Sequence, residues 1–341
     1  MSLRLENKQM SFYEPNLEEL VSEDHEYRQL LLKVDFEELS KPLRNLYSQK
    51  GQSSYPISTG LKCLFLQFWH DLSDRAAEKY FQENLAGKLF AGFGLREKTP
   101  DHSYFGKLRK RIGIKELTKV FNRITESLIA GKIISNTFTF VDASTIHSIV
   151  NLWEARDKAL AERAKAKDDN NDNDTPVMNN DNVGNHSSDP DARFGCKGKS
   201  NFWYGFKRHT AVDMGSGMIT KTDVTPANLP DSEGLDLICP RNSMVFADKG
   251  YCGEKAQTIL KKNQCHSGAI LKNNMKGKDF RKDAWLTKVR MPFEGLFSKF
   301  NKKTRYKGLQ KVQFQVAMQS IVHNLRKFIK MDSPQLNLVG I

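Results

Sequence analysis

The first part of the chain carries apolar residues three and four positions apart, the spacing of helices with one buried face. Ser73 has the side chain of an N-cap and precedes a predicted helix at residues 74–84. Asp101 is likewise expected to cap a helix that runs through Arg111. Short helices joined by tight turns predict a helical N-terminal domain, residues 1–130.

Beyond residue 136 the period changes to the alternation typical of strands, and strands then alternate with helices. Residues 214–217, Met-Gly-Ser-Gly, are predicted to form the turn of a hairpin. This order predicts an α/β domain with a mixed sheet flanked by helices. The predicted strands are 137–142, 203–213, 218–225, 243–247 and 268–272, and the predicted helices are 151–167, 231–239, 254–262, 284–303 and 308–330.

Residues 168–191 interrupt this alternation. They contain seven Asp, no Lys or Arg, and almost no large apolar side chains. Such a segment cannot bury enough apolar surface to offset the entropy of ordering it, so a flexible insertion is predicted. The second domain is predicted to span residues 131–332, with the charged helix and the insertion inside residues 151–200. Residues 333–341 are predicted to form a tail.

The composition, 39% hydrophobic and 27% charged residues, is that of a globular protein. The longest apolar stretch, residues 61–69, is interrupted by Lys62 and Gln67 and is too short to span a bilayer. The N-terminus has no apolar signal core, so no membrane association is predicted and a cytoplasmic location is expected. Five cysteines without a C-x-x-C pair argue against a disulfide framework and a zinc finger, and fit a reducing compartment.

The net charge indicates a partner. Fifty-three Lys and Arg against 40 Asp and Glu leave a formal charge of +13. The excess is concentrated, because residues 251–330 hold 19 cations against four acids. A local excess of this size favours a polyanion such as nucleic acid, although a basic stretch can also be an ordinary solvated face.

The predicted helix after Asp101 is a candidate for contacting DNA bases. It carries Lys107, Arg109, Lys110 and Arg111, and short helices ending in a basic helix are typical of helix-turn-helix DNA binders. Arg109 and Arg111 are the candidates for bidentate pairing with guanine in a major groove. A helical packing domain with a basic edge is the alternative, and the sequence leaves it open.

Three carboxylates stand at unusual places in this pattern. Asp142 and Asp248 each end an apolar strand, where open α/β sheets bind their ligands. Glu294 is the only acid from residue 284 to residue 331. Taken singly, each aspartate could cap a loop, and Glu294 could pair with Arg290 four residues before it. Taken together, they supply the hard oxygen ligands of two divalent cations, the arrangement that cleaves phosphodiester bonds.

Five segments carry a resemblance to bacterial DDE transposases, and in particular to the insertion-sequence-5 family. Their order and spacing match that family over residues 137–330, and the region around Pro100-Asp101-His102-Ser103 resembles its helical N-terminal domain. The resemblance implies a ribonuclease-H-like catalytic domain, Mg²⁺ dependence with Mn²⁺ as a substitute, and transfer of DNA strands. The segments are Phe140-Val-Asp142-Ala-Ser-Thr, Trp203-Tyr-Gly-Phe-Lys-Arg-His209, Pro226-Ala-Asn-Leu-Pro-Asp231-Ser, Ala247-Asp248-Lys-Gly-Tyr251 and Arg290-Met-Pro-Phe-Glu294.

The resemblance also implies roles for individual residues. Asp142 and Asp248 would bind and bridge two Mg²⁺ ions, and Glu294 would complete one metal site. Arg290 would orient Glu294 and touch a phosphate. The expected contacts with the DNA backbone near the site are Lys207, Arg208 and Lys249.

The glutamate motif departs from the family at two positions. Thr287 replaces a Tyr, and Asn301 replaces a Lys that has Lys302 beside it. On one continuous helix, Arg305 would share the face of Glu294 and Lys302 would not. Either Lys302 or Arg305 is therefore the candidate cation that grips the DNA end.

The sequence thus favours a transposase that binds the inverted-repeat ends of its element as a homodimer on DNA. It would cleave a phosphodiester bond there and transfer the 3′-hydroxyl into target DNA in the nucleoid. Two alternatives remain open: a metal-dependent nuclease or domesticated relative that does not transpose, and a DNA-binding protein without catalysis.

Overall fold

The structure is a computed structural model that describes residues 2–3, 16–48, 53–168, 180–197, 201–275, 277–297 and 300–331. The chain divides into two compact units. The helical unit comprises Met1–Ile134 together with Ala317–Ile341, and the sheet unit comprises Ser135–Val316. This division differs from the predicted one, which assigned all of residues 131–332 to the second domain. The predicted tail, residues 333–341, lies outside the described residues.

The helical unit is built around buried aromatic side chains. The rings of Phe36 and Phe65 lie 5.8 Å apart, and those of Phe81 and Phe105 stack at 6.3 Å. Its helices are α1 (Leu17–Leu20), α2 (Glu26–Lys33), α3 (Phe36–Ser40), α4 (Ile57–Trp69), α5 (Asp74–Glu83), α6 (Leu85–Ala91) and α7 (His102–Ala130), with a 3₁₀ turn at Lys41–Leu46 and a short parallel strand pair, β1 (Ser2–Leu3) and β2 (Ser53–Ser54).

Two predicted helix starts in this unit are confirmed. Ser73 accepts a hydrogen bond from the amide of Ala76, and Asp101 accepts from the amides of Ser103 and Tyr104. The helix capped by Asp101 is interrupted at Gly113, whose φ of 63° only glycine adopts at little cost. The predicted DNA-reading helix therefore ends where the sequence placed it, and α7 continues beyond as a second helical segment.

The sheet unit contains a six-stranded mixed sheet. Its main order is β4-β5-β3-β7-β8, and β6 pairs with β5 as well. The β3–β7 and β7–β8 pairs are parallel, and the pairs made by β5 are antiparallel. The strands are β3 (Phe138–His147), β4 (Arg193–Lys197), β5 (Asn201–Asp213), β6 (Ile219–Pro226), β7 (Met244–Ala247) and β8 (His266–Ala269).

Helices cover both faces of this sheet. One face packs Val141 and Val245 against α10 (Asp231–Ile238) and α11 (Glu254–Lys262). The opposite face carries Phe140 and Phe246, which contact α12 (Phe280–Phe297), and Ile146, which packs against the start of α13 (Leu309–Phe328). Two further helices, α8 (Leu152–Asp168) and α9 (Asn180–Asn185), lie between β3 and β4 in the chain. Among the helices of the described ranges, none combines the length and hydropathy that crossing a bilayer requires.

The predicted flexible insertion, residues 168–191, falls partly on residues 169–179, which are outside the described residues. Its second part is packed, contrary to the prediction. Asp189 is fully buried, accepts from the hydroxyl of Ser148 at 2.9 Å and accepts from the amide of Gly308 at 3.1 Å. Asp191 accepts from the amide of Leu309 at 2.8 Å. Polar composition was a poor guide here, because these carboxylates satisfy backbone groups at the start of α13.

Candidate active site

Asp142 and Asp248 come together at one edge of the sheet. Strands β3 and β7 run parallel in a register that pairs Phe140 with Phe246. Asp142 follows two residues later in β3 and Asp248 follows the last residue of β7, so the parallel register directs both toward the same end of this strand pair. Asp248 is close enough for its charge to raise the pKa of Asp142. Asp248 follows the last residue of β7, as predicted, but Asp142 does not end its strand, because β3 continues to His147 through its antiparallel pairing with β5. Asp142 lies instead just beyond the point where the parallel pairing with β7 ends.

Asp248 also caps the turn that follows its strand. Its carboxylate accepts from the amide of Gly250 at 2.8 Å, at the start of the 3₁₀ turn Lys249–Tyr251. The capping alternative and the ligand alternative are thus compatible, because a carboxylate has two oxygens and several acceptor positions.

The environment of Asp142 opposes its ionisation. The pKa of this carboxyl is raised to about 6, chiefly by burial and also by the neighbouring charge of Asp248. The amide of Ala143, which donates to it at 2.8 Å, and the cations Arg290 and Lys197 act in the opposite direction. Lys197 was missed by the sequence analysis, which did not predict strand β4.

Glu294 lies on α12, one helical turn after Arg290. The ring of Phe293 lies 5.8 Å from that of Phe140, and the guanidinium of Arg290 lies over the same ring at 5.6 Å. Arg290 is buried and reaches Glu294 at 3.4 Å, while the side chain of Glu294 remains 52% exposed. Arg290 therefore contacts Glu294 and acts electrostatically on Asp142, and its orienting role stays a prediction. Among the described residues, no three His, Cys, Asp or Glu side chains converge closely enough to hold a metal ion.

Two functional candidates that the sequence reasoning passed over lie at the same edge. Asp231 begins α10, and its second carboxylate oxygen lies 3.7 Å from the point where a Cβ of Gly250 would stand. That point is 2.9 Å from the carboxylate of Asp248. Tyr251 follows Gly250, is 1% exposed, and has a hydroxyl without a hydrogen-bond partner among the described residues. Both residues belong to segments that carry the family resemblance, which was the available signal.

The predicted DNA contacts of strand β5 need correction. Arg208 is 1% exposed, and its guanidinium lies 3.7 Å from the ring centre of Phe300, so it is not available to a DNA backbone. Lys207 is also engaged inside the protein, because its ammonium contacts Asp231 at 2.7 Å and the carbonyl of Leu229 at 2.8 Å. The sequence shows that these residues are cationic but not which face of the strand is covered. Lys249 is exposed, and its contact with a DNA backbone stays a prediction.

Lys302 and Arg305 do not continue the helix of Glu294, contrary to the prediction, because α12 ends at Phe297. Residues 302–304 are extended and bridge the end of β3: the carbonyl of Lys302 accepts from the amide of His147 at 2.7 Å, and the amide of Thr304 donates to the His147 carbonyl at 2.8 Å. Lys302 and Lys303 are exposed there, and Arg305 is half-buried. Pairing with a residue 155 positions away overrides the local helical pattern.

The two arginines chosen on the N-terminal helix face its own unit. Arg109 binds Asp74 through two nitrogens at 2.8 and 2.6 Å, so its guanidinium is committed to a structural ion pair. The guanidinium of Arg111 lies 4.5 Å from the ring centre of Tyr47. Lys107 and Lys110 are exposed on the same helix, so the structure favours them over Arg109 as DNA contacts.

The Asp142–Asp248 pair fits a divalent cation. Both supply hard oxygen ligands of the kind Mg²⁺ prefers, and a cation would offset the mutual repulsion that contributes to the raised pKa of Asp142. The unpartnered hydroxyl of Tyr251 nearby adds a polar group for a hydrated ion. The described residues provide two ligands of such a site, not three.

Comparison with protein families agrees with the resemblance. The family described as Transposase domain matches residues 15–111, and the family described as Transposase DDE domain matches residues 181–325. No solved structure matches the chain. The first match ends within α7, just before Gly113. The second match includes Asp248 and Glu294 but begins after Asp142. The place of Asp142 in the site therefore rests on the strand register.

The chain belongs to the DDE transposases of insertion sequences, a class of metal-dependent enzymes that cleave and transfer DNA. The expected fold class is confirmed, since the sheet unit is a ribonuclease-H-like domain and a helical region precedes it. DNA is accordingly its partner. The insertion-sequence-5 assignment is compatible with both matches.

Proposed function

We propose that this transposase binds the terminal inverted repeats of its element, cleaves a phosphodiester bond at each end, and joins the resulting 3′-hydroxyl to target DNA. The observation that supports the proposal is the parallel register of β3 and β7, which directs Asp142 and Asp248 toward the carboxyl end of β7. Carboxylates of this kind would otherwise repel DNA, so their presence in a basic chain calls for a cation between them and a phosphate.

In this proposal Asp142 and Asp248 hold Mg²⁺, or Mn²⁺ in its place, and Glu294 supplies a further oxygen. The bound ions would activate water and stabilise the leaving oxygen. Arg290 positions Glu294 through their 3.4 Å contact and limits the charge that accumulates around Asp142. Because Arg290 is buried, its proposed role is to position carboxylates rather than to contact a phosphate.

Exposed cations around the site are proposed to bind the DNA backbone. Lys249 follows Asp248 directly, and Lys302 and Lys303 are held at the end of β3 by the hydrogen bonds to His147. Arg305 remains a second candidate near them. Such contacts position a duplex and carry no sequence information.

Recognition of the element's ends is assigned to the helical unit. The first segment of α7 exposes Lys107 and Lys110, and Arg111 lies between the surface and the ring of Tyr47. A helix of this kind can enter a major groove. We further propose a homodimer on DNA, because two ends must be brought to one target, and a cytoplasmic location with the nucleoid.

The test is cleavage and strand transfer on duplexes that carry the element's ends, with Mg²⁺ or Mn²⁺. Asp142→Asn, Asp248→Asn and Glu294→Gln should each abolish both reactions and leave DNA binding nearly unchanged. Asp236→Asn is the matched control, because Asp236 is an exposed carboxylate of α10. A variant among the first three that cleaves within tenfold of the unmodified protein would remove that residue from the catalytic set.

The alternatives give different products. A nuclease or domesticated relative would cleave end-bearing DNA without forming strand-transfer products. A DNA-binding protein without catalysis would bind but not cleave with either metal. If the three carboxylate variants act as one unit, double variants should be no worse than single ones.

A further inference from the structure

Tyr251 is held in place by the turn after Asp248 and by a buried cluster that includes residues of β3 and α10. Its amide donates to the carbonyl of Asp248 at 3.2 Å, so its backbone belongs to the turn that Asp248 caps. Its side chain lies in the buried cluster with Val141, the neighbour of Asp142, and with Leu235 of α10. The ring is thus held by packing, and its 1% exposure leaves the hydroxyl shielded from bulk water.

The hydroxyl of Tyr251 has no hydrogen-bond partner among the residues that the structure describes. Buried hydroxyls are usually satisfied, since an unmade hydrogen bond is costly, and an exception in a site indicates a water or an ion. A neutral tyrosine hydroxyl can both donate and accept a hydrogen bond, so a water molecule is a suitable partner for it.

Asp231 is held in place on the same side of the turn. One of its oxygens binds the ammonium of Lys207 at 2.7 Å. The other lies 3.7 Å from the Cβ position of Gly250, so it is directed toward the turn that contains Asp248 and Tyr251. Lys207 thus fixes one oxygen of Asp231 and leaves the other available as an acceptor.

We propose that Tyr251 and Asp231 are positioning residues for the cation site of Asp142 and Asp248. When a divalent cation is bound, the hydroxyl of Tyr251 donates to a water molecule that Asp231 also binds, and this contact holds the Asp248 turn in its ligating position. The inference rests on the proposed function, which places the cation at this pair. Tyr251 and Asp231 act through the carboxylates and are not themselves ligands.

The test measures Mn²⁺ binding to the full chain without DNA. The method is isothermal titration calorimetry, or the electron paramagnetic resonance signal of free Mn²⁺. Tyr251→Phe and Asp231→Asn should each weaken Mn²⁺ binding about tenfold or more. Removing a residue that holds metal ligands in place through hydrogen bonds usually has an effect of this size. Tyr251→Phe should also leave the Tm of the metal-free protein unchanged or raise it, because it removes an unpartnered hydroxyl.

Tyr204→Phe is the matched control. The Tyr204 hydroxyl is also buried, but it donates to the carbonyl of Asp189 at 3.0 Å. This substitution should lower the Tm of the metal-free protein and leave Mn²⁺ affinity unchanged. A lowered Tm for Tyr204→Phe but not for Tyr251→Phe distinguishes a positioning hydroxyl from one that serves stability alone.

The outcomes are separable. If Asp142→Asn loses Mn²⁺ binding while Tyr251→Phe and Asp231→Asn bind as the unmodified protein does, the positioning role is refuted and the proposed function stands. If Asp142→Asn binds Mn²⁺ normally, the cation is elsewhere and both fail. A lowered metal-free Tm for Tyr251→Phe would show that its hydroxyl already has a partner, and would also overturn the inference.

Discussion

Replacing Asp142 with Asn should stabilise the metal-free protein above pH 6. The carboxyl has a pKa of about 6 against an ordinary value of 3.8, because it is buried beside the charge of Asp248. The folded protein therefore holds this proton more tightly than the unfolded chain does, and ionisation costs folding free energy. The asparagine carries no charge, and its side-chain oxygen can keep the hydrogen bond from Ala143.

The size and pH range of the effect follow from the two pKa values. Below about pH 4 both states are protonated, so the cost is absent. It grows between pH 4 and 6 and is constant above pH 6. The interval from 3.8 to about 6 corresponds to roughly 2–3 kcal/mol. For a domain of the size of Ser135–Val316, this is about 4–12 °C in Tm.

The measurement compares thermal unfolding of Asp142→Asn and the unmodified protein in a metal chelator, at pH 4 and at pH 8. Asp236→Asn should be nearly neutral at both, because that carboxylate is exposed. The reasoning is refuted if Asp142→Asn is no more stable than the unmodified protein at pH 8, or if its advantage is the same at pH 4. Adding Mn²⁺ should reverse the order, since only the carboxylate binds it.

Three other substitutions test other parts of the structure. Gly234→Ala should lower the free energy of unfolding by at least about 2 kcal/mol, measured by denaturant unfolding. The added Cβ would lie 2.2 Å from the buried imidazole ring of His209. Arg109→Ala should lower the free energy of unfolding by roughly 1–3 kcal/mol, because it breaks the ion pair with Asp74. An unchanged Tm together with a lost preference for the element's ends would contradict this structural role. Lys302→Ala and Lys303→Ala should weaken binding to all DNA duplexes alike. In salt titrations, each lost phosphate contact should reduce the slope of log K against log salt concentration by about 0.9. A loss of sequence preference would contradict a role in binding the DNA backbone.

The sequence predicted those features that depend on local pattern. The helix predicted at residues 254–262 is Glu254–Lys262 in the structure, since its apolar spacing and its position between two strands agree. Asp142 and Asp248 could be recognised because each ends an apolar run in the sequence. The parallel pairing of β3 and β7 then accounts for their proximity. The N-cap roles of Ser73 and Asp101 were equally local.

The features that could not be predicted depend on contacts between distant residues. Arg208 looked like a DNA contact because it is cationic, and only the packing of Phe300 over it shows that it is buried. Arg109 has its partner Asp74 in another helix. The end of α12 depends on the bridge from Lys302 to His147, which no helical pattern encodes. Charge alone therefore overestimated the number of cations available to DNA.

The division of the chain has a consequence for the order in which the protein is made. The helical unit needs residues from both ends of the sequence: Arg326 lies over the ring of Trp69 at 4.5 Å, and Lys33 lies near the ring of Phe328 at 5.6 Å. The sheet unit is continuous in sequence. Since domains fold as units during synthesis, the sheet unit has all its residues first, and the helical unit, although it begins earlier in the chain, is completed last. A ribosome that stops at residue 316 would release Asp142, Asp248 and Glu294 on a chain whose helical unit lacks residues 317–328 of α13.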